Sequence, residues 1–324
     1  MNHILNITNG DSTVDLMQQA NIPGVYLPWR DVLHDGPVPE GLSLEALSEV
    51  RSNFISSQGW GEPELIRLGF IERDDTLKSF KQYEKIILWF EHDLYDQLQI
   101  LQILDWFNNH RCDKTQLSII CVDQYLGMLS ADEISTLYKF EVTVTDNHLT
   151  LSSAAWSAFR SPSSENWYDL LNTDTKALPF LNGAIVRMLE EYPASFNGLS
   201  RIANQALKSI SLGINTPWDI FTHYQQSEQR KFLGDSSFWI IIQTLIDSTP
   251  PLLKLSEGNK LSLPINPDQK ITITKTGEDV LLGQINWLDF STLDRWIGGV
   301  HLTQNNTWCW DSDSRVLVKI IEAS

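Results

Sequence analysis

Basic side chains are scarce: 24 lysines and arginines face 41 aspartates and glutamates across 324 residues, a net charge of −17. Affinity for nucleic acid rests on cations that neutralise phosphates, so this balance argues against a nucleic-acid partner. Cysteine is scarcer still. Cys112, Cys121 and Cys309 have neither metal-ligand nor redox spacing, and an odd number cannot all pair within the chain. They read as reduced thiols. No apolar run reaches the roughly 20 residues that span a bilayer, and the chain does not open with a basic segment, an apolar stretch and a small-residue cleavage site. The expectation is a cytoplasmic protein with no membrane partner. A G-x-S-x-G elbow, an H-E-x-x-H helix and a dinucleotide fingerprint are also absent, so a hydrolase triad, a zincin and a nicotinamide enzyme lack support.

What is present divides in two. A chain of this length exceeds what one hydrophobic core usually organises. Up to Thr175 there are 26 acidic side chains against 11 basic ones, a net of −15, which leaves 15 against 13, or −2, for the remainder. The acidity therefore belongs to the first half. There, short β-branched or apolar runs at 3–7, 25–28, 85–90, 117–122 and 140–145 alternate with helical stretches starting near Ser12, Ser43, Glu62, Asp93 and Ser130. Such alternation predicts an α/β fold, a mostly parallel Rossmann-like sheet with flanking helices. The unbroken apolar run at 85–90 should be its central strand, buried on both faces. A polar stretch at 161–177 reads as a linker between an acidic domain, 1–160, and a helical domain, 178–324. In the latter, helices at 198–210, 217–227 and 236–246 precede apolar runs at 252–255 and 270–274, which flank a turn at Gly258 and Asn259. Three helices followed by a β-hairpin make a winged-helix-like order.

Chemistry collects where the strands of the first half end, the place where open α/β sheets bind ligands. Asn9-Gly10-Asp11-Ser12 follows the first strand; Gly10 suits a tight turn, and Asp11 or Ser12 can cap the next helix beside backbone N–H groups that receive an anion. A plain turn with an N-cap explains the same residues equally well. The second strand leads into Trp29-Arg30-Asp31 and then His34-Asp35-Gly36-Pro37. Arg30 can clamp a phosphate or carboxylate, and His34 has the proton affinity of a general acid or base; an ion pair from Arg30 to Asp31 or Asp35 is the competing reading. The third strand runs into Glu91-His92-Asp93-Leu94-Tyr95-Asp96, and the fourth ends at Asp123. Asp93 and Asp96 suit the first turn of a helix, whose dipole favours them. Glu91 and His92 have no such explanation. The candidate catalytic groups are His34, His92, Glu91 and Asp93; the candidate ligand contacts are Asn9, Gly10, Asp11, Ser12, Trp29, Arg30, Asp31, Tyr95, Asp96 and Asp123. Asp31, His34, Glu91, His92 and Asp93 also suit a divalent metal, but no ligand spacing supports one, so the identity of any cofactor stays open and a metal-free site is expected.

These motifs, together with Asn197-Gly198-Leu199-Ser200-Arg201, Phe232-Leu233-Gly234-Asp235 and Arg295-Trp296-Ile297-Gly298-Gly299-Val300-His301 in the second half, resemble a bacterial family, the domain of unknown function 1835, with its usual C-terminal companion region. The resemblance implies the architecture and the motif positions and no activity. The glycines and tryptophans from Arg295 to Asp311 read more readily as packing and a hairpin than as a pocket.

Two classes of function follow. One is an enzyme or small-ligand-binding protein acting on a phosphate- or carboxylate-bearing compound at the strand ends. The other is a regulator or protein-interaction module built on the C-terminal domain, with a protein partner or a second copy of the chain as its target. The expected recognition helix, 235–247, has no lysine or arginine, and only Lys254, Lys260, Lys270 and Lys275 of the wing are basic. Phosphate attraction without base readout disfavours a DNA-binding role.

Overall fold

The computed structural model describes residues 3–112 and 114–320. The described residues divide into two compact units: those up to Ile185 with Gly298–Val300, and those from Val186 to Ile297 with 301–320. The first unit is an α/β fold around one five-stranded sheet. Its strands are β1 (Ile4–Thr8), β2 (Val25–Pro28), β4 (Lys85–Phe90), β5 (Gln116–Cys121) and β6 (Val142–Thr143), in the order β2-β1-β4-β5-β6; a two-residue strand, β3 (Gly36–Pro37), lies outside it. All pairings are parallel except β5 with β6. The run expected at 140–145 shrinks to this short antiparallel edge because residues up to Phe140 turn in a 3-10 helix and both β6 side chains stay exposed.

The apolar run of β4 is the centre of the unit, with Ile86, Ile87, Leu88, Trp89 and Phe90 all fully buried. The one polar atom among these side chains, Trp89 Nε1, donates to Asn6 Oδ1 at 3.0 Å, as burial requires. The chain passes from β1 to β2 on one side and reaches β4 on the other, so the strand order reverses between β1 and β4. A crevice opens at such a switch point, outside the carboxyl ends of the strands.

Only some of the helices begin on a capping side chain: the helix that follows β1 has Gly10 at its N-cap, so neither Asp11 nor Ser12 caps it. Helix α1 (Asp11–Gln19) follows β1, α2 (Leu44–Ser57) is capped by Ser43, and α3 (Pro63–Lys78) starts on proline. Asp93 caps α4 (Leu94–Asn109), accepting from Asp96 N at 3.2 Å, and Ser130 with Glu133 forms a capping box on α5 (Ala131–Ser135). Helix α6 (Asp146–Arg160) follows β6. The polar stretch 161–177, expected as a linker, lies inside the first unit. It contains α7 (Ser164–Asp169), where Trp167 is buried and donates from Nε1 to Ile185 O at 3.2 Å, and Leu170 is buried beyond it. Two large apolar side chains outweigh the polar composition around them. The division falls instead within α8 (Leu181–Leu189).

The loop after β2 is held by an arginine that is 20 residues away. Arg51, on α2 and fully buried, donates from Nε to Asp31 Oδ1 at 2.9 Å, from Nη1 to the carbonyls of Asp35 and Pro37 at 2.7 and 3.2 Å, and from Nη2 to that of Val32 at 2.9 Å. Arg73 on α3 stacks over Trp29, 4.2 Å from the ring centroid, and pairs with Asp74 at 2.9 Å.

The second unit contains α9 (Arg201–Ser211), α10 (Pro217–Ser227) and α11 (Asp235–Asp247), then the antiparallel pair β7 (Leu253–Leu255) and β8 (Ile271–Ile273), and α12 (Lys275–Leu281). Strands β9 (Asp294–Gly298) and β10 (Val300–Thr303) precede the antiparallel pair β11 (Thr307–Asp311) and β12 (Val316–Ile320). One apolar cluster joins its helices to β7 and β8 through Leu207, Tyr224, Phe238, Ile242, Leu253 and Ile271. Beside it Arg187 is held by Glu228 at 2.6 Å and Glu191 at 2.7 Å, and Arg295 also reaches Glu191, at 3.1 Å. Arg295 is thus an ion-pair partner, and Trp308 and Trp310 of the same region are buried. In the first unit, Gly298 and Gly299 pack so closely on Phe159 and Arg160 that a side chain at Gly299 would strike the Arg160 carbonyl.

Arg51→Leu leaves buried Asp31 with only the longer contact to Arg73, at 3.8 Å, and takes the guanidinium donors from the carbonyls of Val32, Asp35 and Pro37. Urea denaturation should show a loss of about 3–5 kcal/mol, against roughly 0.5 kcal/mol or less for Arg67→Ala at an exposed pair. A loss under about 1 kcal/mol at Arg51 would contradict this account of the loop.

Candidate functional site

Four polar side chains of α4 tie the strand ends together. Asp96 accepts from Glu91 N at 2.6 Å and Asn9 Nδ2 at 3.1 Å; Gln97 donates to Glu91 O at 2.8 Å; Gln99 donates to Asp31 O at 3.0 Å; and Gln102 accepts from Trp29 Nε1 at 2.8 Å. All four are buried. The ends of β1, β2 and β4 are therefore fixed by one helix.

At the centre of this arrangement lie the carboxylates of Glu91, Asp93 and Asp96, each buried, with ligand atoms within 4.8 Å of one another. Asn9, just past β1, bridges two of them: its Nδ2 donates to Glu91 Oε1 and Asp96 Oδ2, both at 3.1 Å, while Thr13 Oγ1 donates to its Oδ1 at 2.9 Å. Leu126 N donates to Glu91 Oε1 at 2.7 Å. Among the described residues, no lysine or arginine pairs with Glu91 or Asp96. Burial is the largest force on both groups. It raises the proton affinity of Glu91 against the Leu126 and Asn9 hydrogen bonds, and raises that of Asp96 well above the ordinary aspartate value, with Asp93 and Glu91 adding repulsion.

The other candidate residues surround this cluster in different ways. Tyr95 donates from its hydroxyl to Asn9 O at 3.3 Å, and burial raises its proton affinity. His34 is buried with its ring edge-on to Tyr95, 5.9 Å between centroids, and 3.7 Å from Asp35. His92, also buried, packs against Tyr125 and Phe180 and reaches the exposed Asp123 at 3.3 Å. Arg30 adopts a left-handed backbone, φ 57°, and its exposed guanidinium makes a bidentate pair with Asp11 in the first turn of α1. That hydrogen bond raises its proton affinity. Gly10 is extended and leaves open space where a side chain would stand, and Ser12 is exposed. Trp29 and Asp31 are turned to Gln102 and to Arg51 and Arg73, so they act in holding the loop. Neither histidine joins the set of ligand atoms within 4.8 Å of one another, which Asp96 forms with Glu91 and Asp93. Burial pushes the Cys121 thiol up to about 12, which removes it as a nucleophile at neutral pH.

Sequence reasoning missed Arg51, Gln97, Gln99 and Gln102. Glutamines at 97, 99 and 102 in an otherwise apolar helix were the available signal, since buried amides need partners. No model of a known protein family matches the chain, and no curated protein matches it. Among the described residues no helix is long and apolar enough to cross a membrane.

A carboxyl whose folded proton affinity exceeds its unfolded value stabilises the fold below the unfolded pKa and loses that contribution as pH rises through the folded one. The wild type should therefore lose stability relative to the non-titrating Asp96→Asn as pH rises above about 4, by about 1.4 kcal/mol for each tenfold increase in proton affinity. Urea midpoints measured across pH check this. A constant difference from pH 4 to 8 would contradict it.

Proposed function

We propose that the N-terminal unit binds a small phosphate- or carboxylate-bearing compound at the strand ends, through a divalent cation held by Glu91, Asp93 and Asp96. The observation that carries the reading is the burial of three carboxylates together at the β1–β4 switch point. Like charges so placed require a proton or a cation, and an all-oxygen set suits Mg²⁺, Mn²⁺ or Ca²⁺. The reading replaces the expectation of a metal-free site, because Asp96 joins Glu91 and Asp93.

The cation supplies positive charge that the acidic unit otherwise lacks; Glu91 Oε1 already accepts from both Asn9 and Leu126, whereas Asp96 Oδ1 and Oδ2 accept from Glu91 N and Asn9 and each keep a second lone-pair direction. Arg30 meets the anionic group by exchanging Asp11 for it, a low-cost exchange at an exposed pair. His92, coupled to exposed Asp123, and His34 are the groups suited to proton transfer if the bound compound reacts. The proposal includes membership of the bacterial family of unknown function whose motifs the chain resembles, since those motifs occupy these positions.

A second reading concerns the C-terminal unit, whose three helices and hairpin support a winged-helix-like module. Helix α11 has no basic residue and leaves Ile240 exposed, which favours a protein partner over DNA.

Equilibrium dialysis of the full chain should find one saturable Mn²⁺ site at neutral pH, with affinity falling as pH drops and protons compete. Saturation at 100 times Kd adds about 2.7 kcal/mol of stability, and inorganic phosphate should raise the melting temperature further only when the metal is present. Glu91→Gln, if folded by circular dichroism, should lose the site. Absence of saturable Mn²⁺ binding to the wild type would overturn the proposal.

A further inference from the structure

The C-terminal unit holds a cleft of about 360 Å³ that the N-terminal reading does not use. One wall is a single face of α9. Arg201, Asn204, Gln205 and Lys208 are spaced i, i+3, i+4, i+7 and line the cleft, while the opposite face buries Ile202, Ala206, Leu207 and Ile210. The other wall is aromatic: Tyr192 and Trp310 form its buried backing, and Phe196 is the ring open to the cleft. Main-chain bonds set it in place: Trp310 N donates to Pro193 O at 2.8 Å and Ser195 N to Trp310 O at 3.3 Å. Gly198 fixes the turn that follows, with φ 78° and no room for a side chain against Asn286 and Leu288. Phe196 is 60% exposed on the rim.

Polar groups in the cleft are unevenly matched. Glu190 is answered by Arg201 Nη1 at 2.7 Å, and the Asn204 amide is committed to Asn197 and to the carbonyls of Leu199 and Ser200. Among the described residues, however, Lys208 makes no ion pair, and the buried Arg201 Nε has no hydrogen-bond acceptor. Gln205, one turn from Lys208 on the same face, presents its amide to the cleft without a bond to another side chain. The cleft thus combines an exposed aromatic ring, Phe196, with one surplus positive charge, Lys208. A volume above 300 Å³ lined in this way has the character of a small-molecule site.

We infer that this cleft binds an aromatic carboxylate, its ring system against Phe196 and its carboxylate on Lys208. Aromatic stacking supplies the apolar contact and the ammonium selects the charge.

The test uses the full chain, with 2-naphthoate as probe and its uncharged isostere 2-naphthamide as control, each followed by equilibrium dialysis. Naphthoate should bind saturably at one site and at least about tenfold more tightly than the amide, the ratio expected when a charged hydrogen bond is lost. Lys208→Gln, an exposed helix position that a polar side chain fills without strain, should remove most of that preference and leave the amide unaffected. Phe196→Ser should weaken both probes. No saturable naphthoate binding, equal affinity for the two probes, or an unchanged preference in Lys208→Gln would each overturn the inference. Mn²⁺ binding reports on the other unit and separates the two proposals.

Discussion

The first unit depends on a helix that is polar where it meets the strand ends. Helix α4 is buried along most of its length, which demands an apolar surface, yet Asp96, Gln97, Gln99 and Gln102 face the carboxyl ends of β1, β2 and β4. Burying an amide without a partner costs roughly 1–3 kcal/mol, so these side chains fit only if the loops present matching groups. The carbonyls of Glu91 and Asp31, the Glu91 N–H and the Trp29 indole are those groups. Helix and loops are mutually specified, and the site exists because both are held.

The same constraint explains why the chemistry concentrates at one place. Asp96 cannot leave the cluster without abandoning the Glu91 N–H, and Asn9 cannot serve Asp96 without also meeting Glu91. Three carboxylates are thereby gathered away from water, where each raises the cost of ionising the next. Asp93 does more than cap α4, since it also shares a side-chain hydrogen bond with Glu91. A cation uses all three. The peripheral pair of Arg30 and Asp11 is exposed and exchangeable, unlike the buried pair of Arg51 and Asp31 behind it.

Much of this was legible in the sequence. The unbroken apolar run at 85–90 marked the central strand because only a strand covered on both faces tolerates it; Ser43, Asp93 and Ser130 sit at helix starts because their side chains accept from first-turn N–H groups, whereas after Glu62 it is Pro63 that opens the helix. The rim position of Glu91 and Asp93 followed from the strand that precedes them. Long-range pairing was not legible. Nothing near Asp31 announces Arg51 as its partner, and nothing near Asn9 announces Asp96, 87 residues on. Composition also misled at 161–177, where a polar stretch folds into the first unit because Trp167 and Leu170 are buried. A pairing set by three-dimensional closure leaves little trace in local pattern.

Anomalous diffraction at the manganese edge, from crystals of the full chain grown with MnCl₂ at neutral pH, tests the central claim most directly. The account predicts a peak bounded by the carboxylates of Glu91, Asp93 and Asp96, with Asn9 still bonded to Glu91 and Asp96. A map with no peak there, while the three side chains keep the same hydrogen bonds, would make the cluster a proton-sharing structural hub and would contradict the account.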